Sequence, residues 1–262
     1  MSQVPDILRR IVEVRQERVA QSREQATVPN AEPIPQTPAN NPFLAALHEK
    51  RGRAVIAEVK LGSPRLGSLV DTIDPLALAR TYAENGAAAL SVVVEPDFFH
   101  GSYELLAACH ETSGLPTIAK DFIVDPVQFR WARRAGARAV LLIAALYEPD
   151  ELRRLADLAR QHRLVPLIET HELSDLMKLQ DGVWELVGVN NRDLRTFEVE
   201  LSSSMALLPM LPSGALKIAE SGIGGADDLT MLRSVGFDGY LIGEALVTAD
   251  DPAAKLRELI EA

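Results

Sequence analysis

The chain has 262 residues, of which 47% are hydrophobic and 24% are charged, and its formal net charge is −10. This composition is typical of a soluble globular protein with one large α/β domain or two smaller domains. It excludes an intrachain disulfide and a multi-cysteine zinc site, because Cys109 is the single cysteine, and the acidic balance argues against nucleic acid as a partner.

The N-terminal part of the chain has a composition of its own. Apolar residues at helical spacing between residues 5 and 25 predict an amphipathic helix. Residues 26–42 are rich in proline, which excludes a helix and predicts an extended linker. A short helix over 43–50 precedes the first predicted strand. We therefore predict that residues 1–45 form a helix and a linker packed on a second domain, residues 46–262.

From residue 54 onward, apolar runs alternate with helical patterns. The predicted strands are 54–60, 88–94, 116–120, 138–143, 164–169, 184–190, 215–220 and 238–243. The predicted helices are 75–85, 103–112, 126–135, 149–161, 172–180, 202–210, 226–235 and 251–261. This alternation predicts a (β/α)8 TIM barrel. A doubly wound sheet is the alternative, but the turn Gly62–Gly67 lacks the glycine spacing of a dinucleotide-binding loop.

Polar residues follow most of the predicted strands, where a TIM barrel carries its active site. They include Glu58, Lys60, Ser63, Lys120, Glu169, Asn190, Arg192 and Glu220. Each one alone has a structural explanation, and the pair Glu58 and Lys60 could be an ion pair that closes the barrel end. Together, two lysines and three carboxylates on one rim predict a site for acid–base chemistry.

The last two strands carry a different signal. Ser221-Gly222-Ile223-Gly224 and Gly243-Glu244 each precede a predicted helix. Small residues at such positions let backbone N–H groups approach an anion, so we predict a phosphate site there. The five histidines show no metal-ligand spacing, and no nucleotide-binding motif is present, so we expect no cofactor and no metal. His171, close to Glu169, is interpreted as acting at most indirectly.

The motifs form an ordered set that resembles indole-3-glycerol phosphate synthase of the tryptophan pathway, from the first helix to the last. They are Ile56-Ala57-Glu58-Val59-Lys60 with Ser63-Pro64, Leu90-Ser91-Val92, Phe98-Phe99-His100-Gly101-Ser102, Lys120-Asp121-Phe122-Ile123-Val124-Asp125-Pro126, Ala139-Val140-Leu141-Leu142-Ile143, Gly188-Val189-Asn190-Asn191-Arg192-Asp193-Leu194, Ala219-Glu220-Ser221-Gly222-Ile223 and Leu241-Ile242-Gly243-Glu244-Ala245-Leu246.

The resemblance implies a carboxy-lyase that closes an indole ring on an anthranilate-linked deoxyribulose 5-phosphate, with loss of CO2 and water. It implies Lys120 as the general acid for ring closure, Glu169 as the base in dehydration, and Lys60, oriented by Glu58, as an anion-binding residue and second acid. The remaining roles that it implies concern the substrate. Asn190 and Ser221 belong to the implied catalytic set and would polarise or hydrogen-bond the reacting sugar portion, and Glu220 would accept from a sugar hydroxyl. Ser221, Gly222, Gly243 and Glu244 would hold the phosphate, Phe99 and Phe122 would pack around the aromatic ring, and Ser63 and Arg192 are further substrate-binding residues.

The sequence departs from the family pattern just after Lys60. Leu61 stands where an arginine is customary, Arg65 replaces a serine, and Leu66 stands in place of a frequent lysine; Ala119 is a further departure. This loop covers the substrate in such barrels, so the changes would alter affinity or turnover. Two alternatives stay open: another phosphate-binding barrel enzyme of isomerase type, which the phosphate loops would also suit, and a weakly catalytic paralogue that binds a ligand or partner, which the altered loop favours.

Cellular context follows from the same features. The chain start lacks a basic and apolar signal segment, and no apolar run has the length of a bilayer span, so we expect a cytoplasmic protein without membrane contact. The expected partner is a small anionic phosphate substrate. The acidic balance, with no obvious exposed apolar stripe, favours a monomer and leaves association with other tryptophan-pathway enzymes open.

Overall fold

In the computed structural model, eight parallel strands close into a barrel. The structure describes residues 6–25, 40–65, 67–180, 182–193, 195–196 and 198–262. The barrel strands are β1 (Ala54–Val59), β4 (Ala89–Val93), β5 (Thr117–Lys120), β6 (Ala139–Ile143), β7 (Val165–Thr170), β8 (Leu186–Asn190), β9 (Leu216–Glu220) and β10 (Gly239–Ile242). Each strand pairs with its neighbours in sequence, and β10 closes the barrel on β1. The predicted (β/α)8 TIM barrel is therefore confirmed.

Helices alternate with these strands and also precede them. They are α1 (Asp6–Gln25), α2 (Pro42–Glu49), α3 (Pro75–Glu84), α4 (Tyr103–Ser113), α5 (Val127–Arg134), α6 (Pro149–Gln161), α7 (Leu173–Met177), α8 (Ser202–Leu207), α9 (Ala226–Val235), α10 (Glu244–Val247) and α11 (Pro252–Glu261). Local chemistry sets their ends: Asp251 accepts from the Ala254 N–H at the start of α11, and Gly236 ends α9 with φ 112°. None of these helices, within the ranges described, combines the length and apolar content of a membrane crossing.

Three local elements differ from the sequence-based predictions. A hairpin of β2 (Gly62–Ser63) and β3 (Gly67–Ser68) follows β1, and α10 follows β10; both are too short for periodicity to reveal. Helix α7 ends at Met177, three residues before the predicted end, and turns follow it, in which the Lys178 N–H donates to the Asp175 carbonyl at 3.1 Å and the Leu179 carbonyl accepts from the Trp184 indole at 2.8 Å. Most of the predicted linker, residues 26–39, lies outside the described residues.

The interior of the barrel explains where the site lies. Alternate side chains of the strands pack inside the barrel with Phe43 and Leu47 of α2. Helix α2 closes the N-terminal end, where the Asn41 amide donates to the Arg138 carbonyl at 2.8 Å. Inward-facing apolar residues of four strands are Ile56, Ile118, Leu167 and Ile218. Two residues further along each strand, on the same face, stand Glu58, Lys120, Glu169 and Glu220. The strand period thus brings four charged groups together at the C-terminal end.

Candidate active site

A cavity of about 960 Å³ opens at the C-terminal end of the barrel. Its wall includes every residue predicted for the site except Glu220. The predicted residues in the wall are Glu58, Lys60, Ser63, Phe99, Lys120, Phe122, Glu169, Asn190, Arg192, Ser221, Gly222, Gly243 and Glu244. Glu220 was predicted to contact substrate, but its side chain is fully buried and lies against Lys120 instead of in the wall.

Three carboxylates surround the ammonium of Lys120. Its Nζ lies 3.0 Å from Glu220 Oε2, 3.6 Å from Glu169 Oε2 and 3.8 Å from Glu58 Oε2. Burial by itself lowers the pKa of Lys120, but the charges of Glu220, Glu169 and Glu58 outweigh burial and raise the pKa above its ordinary value. Lys120 therefore stays protonated in a desolvated position facing the cavity.

Glu58 lies between the two lysines of the site. Its Oε1 is 3.2 Å from Lys60 Nζ, and its other oxygen faces Lys120. Burial raises the pKa of Glu58, but Lys60 and Lys120 outweigh burial and lower the pKa below its ordinary value. The pair predicted from the strand period thus exists, and it belongs to a larger cluster that includes the ammonium of Lys120.

Glu220 is a carboxyl group of the cluster whose ionisation is opposed by burial. Burial, the largest effect, raises the pKa of Glu220 to about 7; Lys120 opposes this and Glu169 adds to it. Its Oε1 has no hydrogen-bond partner among the described residues. A buried carboxyl with one unpartnered oxygen is costly, and such groups concentrate at functional sites. Sequence reasoning missed that Glu220 acts on Lys120, because a strand-end position does not reveal which side chain lies behind another.

Two glycines make room for the carboxylates. A Cβ at Gly188 would lie 2.1 Å from Glu220 Oε1, and a Cβ at Gly243 would lie 2.4 Å from Glu58 Oε1. Neither distance is compatible with van der Waals contact. Gly188 was not predicted as part of the site, whereas Gly243 was predicted as a phosphate-binding residue and also provides space for Glu58.

His171 touches the far side of Glu169. Its Nε2 lies 3.3 Å from Glu169 Oε1, and its backbone N–H donates to Asp175 Oδ2 at 3.0 Å. Burial lowers the pKa of His171, which favours the neutral imidazole. The sequence predicts that His171, close to Glu169, acts at most indirectly. In the structure the two side chains are in contact.

The turn after β9 has an unusual backbone. Ser221 has φ 62° and Gly222 has φ 79°, and a Cβ at Gly222 would lie 2.3 Å from Val199. The Asn191 amide donates to the carbonyls of Glu220 at 3.0 Å and Ser221 at 3.1 Å. Asn191 thus fixes a turn that exposes Ser221 and Gly222 to the cavity. In the sequence it stands out only as part of the motif Gly188–Leu194.

The cavity mouth carries a second ionic group. Arg192 Nη2 lies 3.2 Å from Glu244 Oε2, and Arg65 pairs with the other oxygen of Glu244. Arg65, one of the departures from the family pattern, therefore faces the predicted phosphate loop. Leu66, another departure, lies outside the described residues.

Aromatic and apolar residues form another part of the wall. The rings of Phe99 and Phe122 have centroids 6.0 Å apart at an interplanar angle of 36°. Ile7, Leu8 and Ile11 of α1 also line the cavity, so the N-terminal helix contributes to the site as well as to packing. Such a surface suits one face of an aromatic ligand.

Known proteins with similar sequences match most of this chain. A family model described as indole-3-glycerol phosphate synthase matches residues 8–259. The protein of Koribacter versatilis with that name is 44% identical over 220 residues, covering 83% of this chain and 85% of its own. The Bordetella pertussis protein with that name is 39% identical over 261 residues, which cover 97% of this chain and 99% of that protein.

Among solved structures, thiamine phosphate pyrophosphorylase from Pyrococcus furiosus is similar, with a TM-score of 0.59 at 14% identity over 81% of this chain and 98% of that chain. At that identity the similarity concerns the fold alone. The family model and the named relatives each cover most of the chain, and they agree with one another. The chain therefore belongs to the indole-3-glycerol phosphate synthase family.

Proposed function

We propose that this protein converts 1-(2-carboxyphenylamino)-1-deoxyribulose 5-phosphate to indole-3-glycerol phosphate, CO2 and water, as the names of its relatives suggest. The observation that carries the proposal is the Lys120 ammonium held at 3.0 Å from Glu220 and facing the cavity. Ring closure onto a carbonyl needs a positioned proton donor, and this group is kept protonated by its neighbours.

In the first step, the ring carbon that bears the carboxylate attacks the ribulose carbonyl carbon. The carbonyl electron pair moves to oxygen, which takes a proton from Lys120. The carboxylate then leaves as CO2, and the electron pair of the broken bond restores the aromatic ring. The fixed carboxylates around Lys120 hold its charge where the oxygen develops negative charge, so little reorganisation is needed during the step.

In the second step, the new hydroxyl leaves as water. Lys60 provides the proton for the leaving hydroxyl, and Glu169 accepts the proton that the substrate loses. Glu58 orients Lys60 from 3.2 Å, and neutral His171 supports Glu169 from 3.3 Å. The balance is closed: the two protons from the lysines leave with the former carbonyl oxygen as water, and one proton passes from the substrate to Glu169. The new carbon–carbon bond takes the place of the lost carboxylate on the ring, and the net uptake of one proton balances the loss of its charge as CO2.

Substrate binding follows the distribution of residues in the wall. Ser221, Gly222, Gly243 and Glu244 would hold the phosphate through backbone N–H groups, assisted by Arg192, while Asn190 and Ser221 bind the sugar portion. Phe99 and Phe122 would pack on the aromatic ring, and Ser63 contributes from the hairpin after β1. The protein would act in the cytoplasm in tryptophan biosynthesis, as a monomer and without a cofactor.

The test is direct conversion of the anthranilate-linked substrate. We expect purified protein to form the indole product, followed by absorbance or fluorescence, at a rate proportional to enzyme concentration. Lys120→Ala protein purified in the same way is the control for contaminating activity. Absence of product across a wide pH range would sink the proposal.

A further inference from the structure

Helix α1 is joined to the barrel by a buried ion pair. Arg15 donates from Nε to Asp121 Oδ1 at 2.9 Å and from Nη2 to Asp121 Oδ2 at 2.6 Å. The side chains of Arg15 and Asp121 are 5% and 0% exposed. A two-point bond of this kind fixes both distance and orientation, and it is far more constraining than an ion pair on the surface.

Asp121 is a junction of four segments. Besides Arg15, its carboxylate accepts from the Tyr103 hydroxyl at 2.7 Å, the Gln128 amide at 2.9 Å and the Phe122 N–H at 2.9 Å. Burial, followed by the charge of Asp121, raises the pKa of Tyr103 well above its ordinary value, so the phenol remains a donor. The carboxylate therefore ties α1, α4 and α5 to the end of β5.

The position of this junction in the chain matters for the site. Asp121 follows Lys120 directly and precedes Phe122, both of which face the cavity. Because the three residues are consecutive, fixing the Asp121 carboxylate restrains the backbone that carries the Lys120 and Phe122 side chains. Among the described side chains that donate to Asp121, Tyr103 and Gln128 come from the barrel helices α4 and α5. Only Arg15 comes from the N-terminal helix α1.

We infer that Arg15 is a positioning residue for ring closure, which acts through Asp121 on the placement of Lys120 and Phe122. The inference rests on the proposed function and extends it to the N-terminal helix. Without the guanidinium, Asp121 keeps its other partners but loses two charge-assisted bonds, and the segment Lys120-Asp121-Phe122 gains freedom. A displacement of about 1 Å at a catalytic group can cost roughly 100-fold in rate.

The chain offers a matched control on the same helix. Arg18, one turn beyond Arg15, makes a two-point ion pair with Asp97, but the two side chains are 49% and 23% exposed. Asp97 lies in the loop after β4 and is not adjacent to Lys120. Removing Arg18 therefore also breaks an ion pair between α1 and the barrel, while the Asp121 junction stays intact.

The experiment compares Arg15→Ala, Arg15→Lys and Arg18→Ala with the unchanged protein. We expect Arg15→Ala to lower kcat roughly 10- to 100-fold with a smaller change in KM, because alignment is lost more than binding. Added guanidinium ion, at concentrations well below those that unfold the protein, is expected to restore part of the lost kcat. Arg18→Ala is expected to keep kcat within about twofold, with no response to guanidinium.

A merely structural role gives a different pattern. If Arg15→Ala retains kcat within about twofold, or if its loss is matched by Arg18→Ala and does not respond to guanidinium, the inference is wrong. Should Arg15→Ala fail to fold, Arg15→Lys decides, since a lysine cannot reproduce the two-point bond and an unchanged kcat would overturn the inference. Failure of the proposed function is recognised separately, because the unchanged protein would then form no indole product.

Discussion

Gly188 offers a way to disturb the cluster around Lys120 without altering any charged residue. In Gly188→Ala, the new methyl group would lie 2.1 Å from Glu220 Oε1 and 3.1 Å from Glu220 Cδ. Ordinary contacts begin near 3.4 Å, so the carboxylate must retreat by roughly 1 Å. Glu220 is fully buried, and the barrel interior leaves it little alternative space.

The energetic consequence follows from the Lys120–Glu220 distance of 3.0 Å. With an effective dielectric constant of about 20, increasing a separation from about 3 to 4 Å weakens the attraction by roughly 1.4 kcal/mol. Loss of the hydrogen bond adds about 1 kcal/mol. If Lys120 is held in place by this bond during ring closure, a barrier increase of that size lowers kcat roughly 10- to 100-fold.

The assay is steady-state indole formation by Gly188→Ala, with thermal unfolding recorded in parallel. Gly214→Ala is the matched control, because a Cβ there meets no atom within 4 Å and the residue precedes β9 outside the cavity wall. We expect the control to retain kcat within about twofold. A folded Gly188→Ala protein with unchanged kcat would refute the idea that Glu220 positions Lys120.

Two further changes test other members of the cluster. Since the pKa of Glu220 is raised from 4.5 to about 7, the native state keeps a proton that the unfolded state releases, so this group contributes stability below pH 4.5 that is lost as pH rises to about 7. Between pH 4.5 and about 7, the free energy of unfolding should therefore fall by roughly 3 kcal/mol more in the unchanged protein than in Glu220→Gln. Urea unfolding at several pH values measures this difference, and the same pH dependence in both proteins would contradict the assignment. Lys60→Ala should raise KM and lower kcat, each roughly 10-fold, because an anion-binding charge and the proposed second acid are both lost; unchanged constants would exclude both roles.

The main features of the fold were predictable because they depend on local patterns. Apolar runs and helical periodicity specify the eight strand–helix units, and the strand period of two places Glu58 and Lys60 on the same face. The polar residues at strand ends then converge because the fold brings all these ends to one rim. The short hairpin β2–β3 and helix α10 were missed, since two to four residues carry no periodic signal.

The features that escaped prediction depend on contacts between distant segments. Arg15 and Asp121 are 106 positions apart, and nothing in either local sequence indicates a buried pair. The need for glycine at 188 arises only from the position of Glu220 on the neighbouring strand. Likewise, Asn191 is a plausible turn residue in sequence, and its bonds to the backbone of Glu220 and Ser221 exist only in the closed barrel.

The central claim is that Lys120, held among Glu58, Glu169 and Glu220, delivers the proton for ring closure. The most direct measurement is a single-turnover experiment on Lys120→Met, with substrate binding and indole formation followed separately in the same samples. The account predicts that the substrate still binds, with Kd changed by less than about 10-fold, while product formation slows by at least about 1,000-fold. Indole formation within about 10-fold of the unchanged protein would contradict the account.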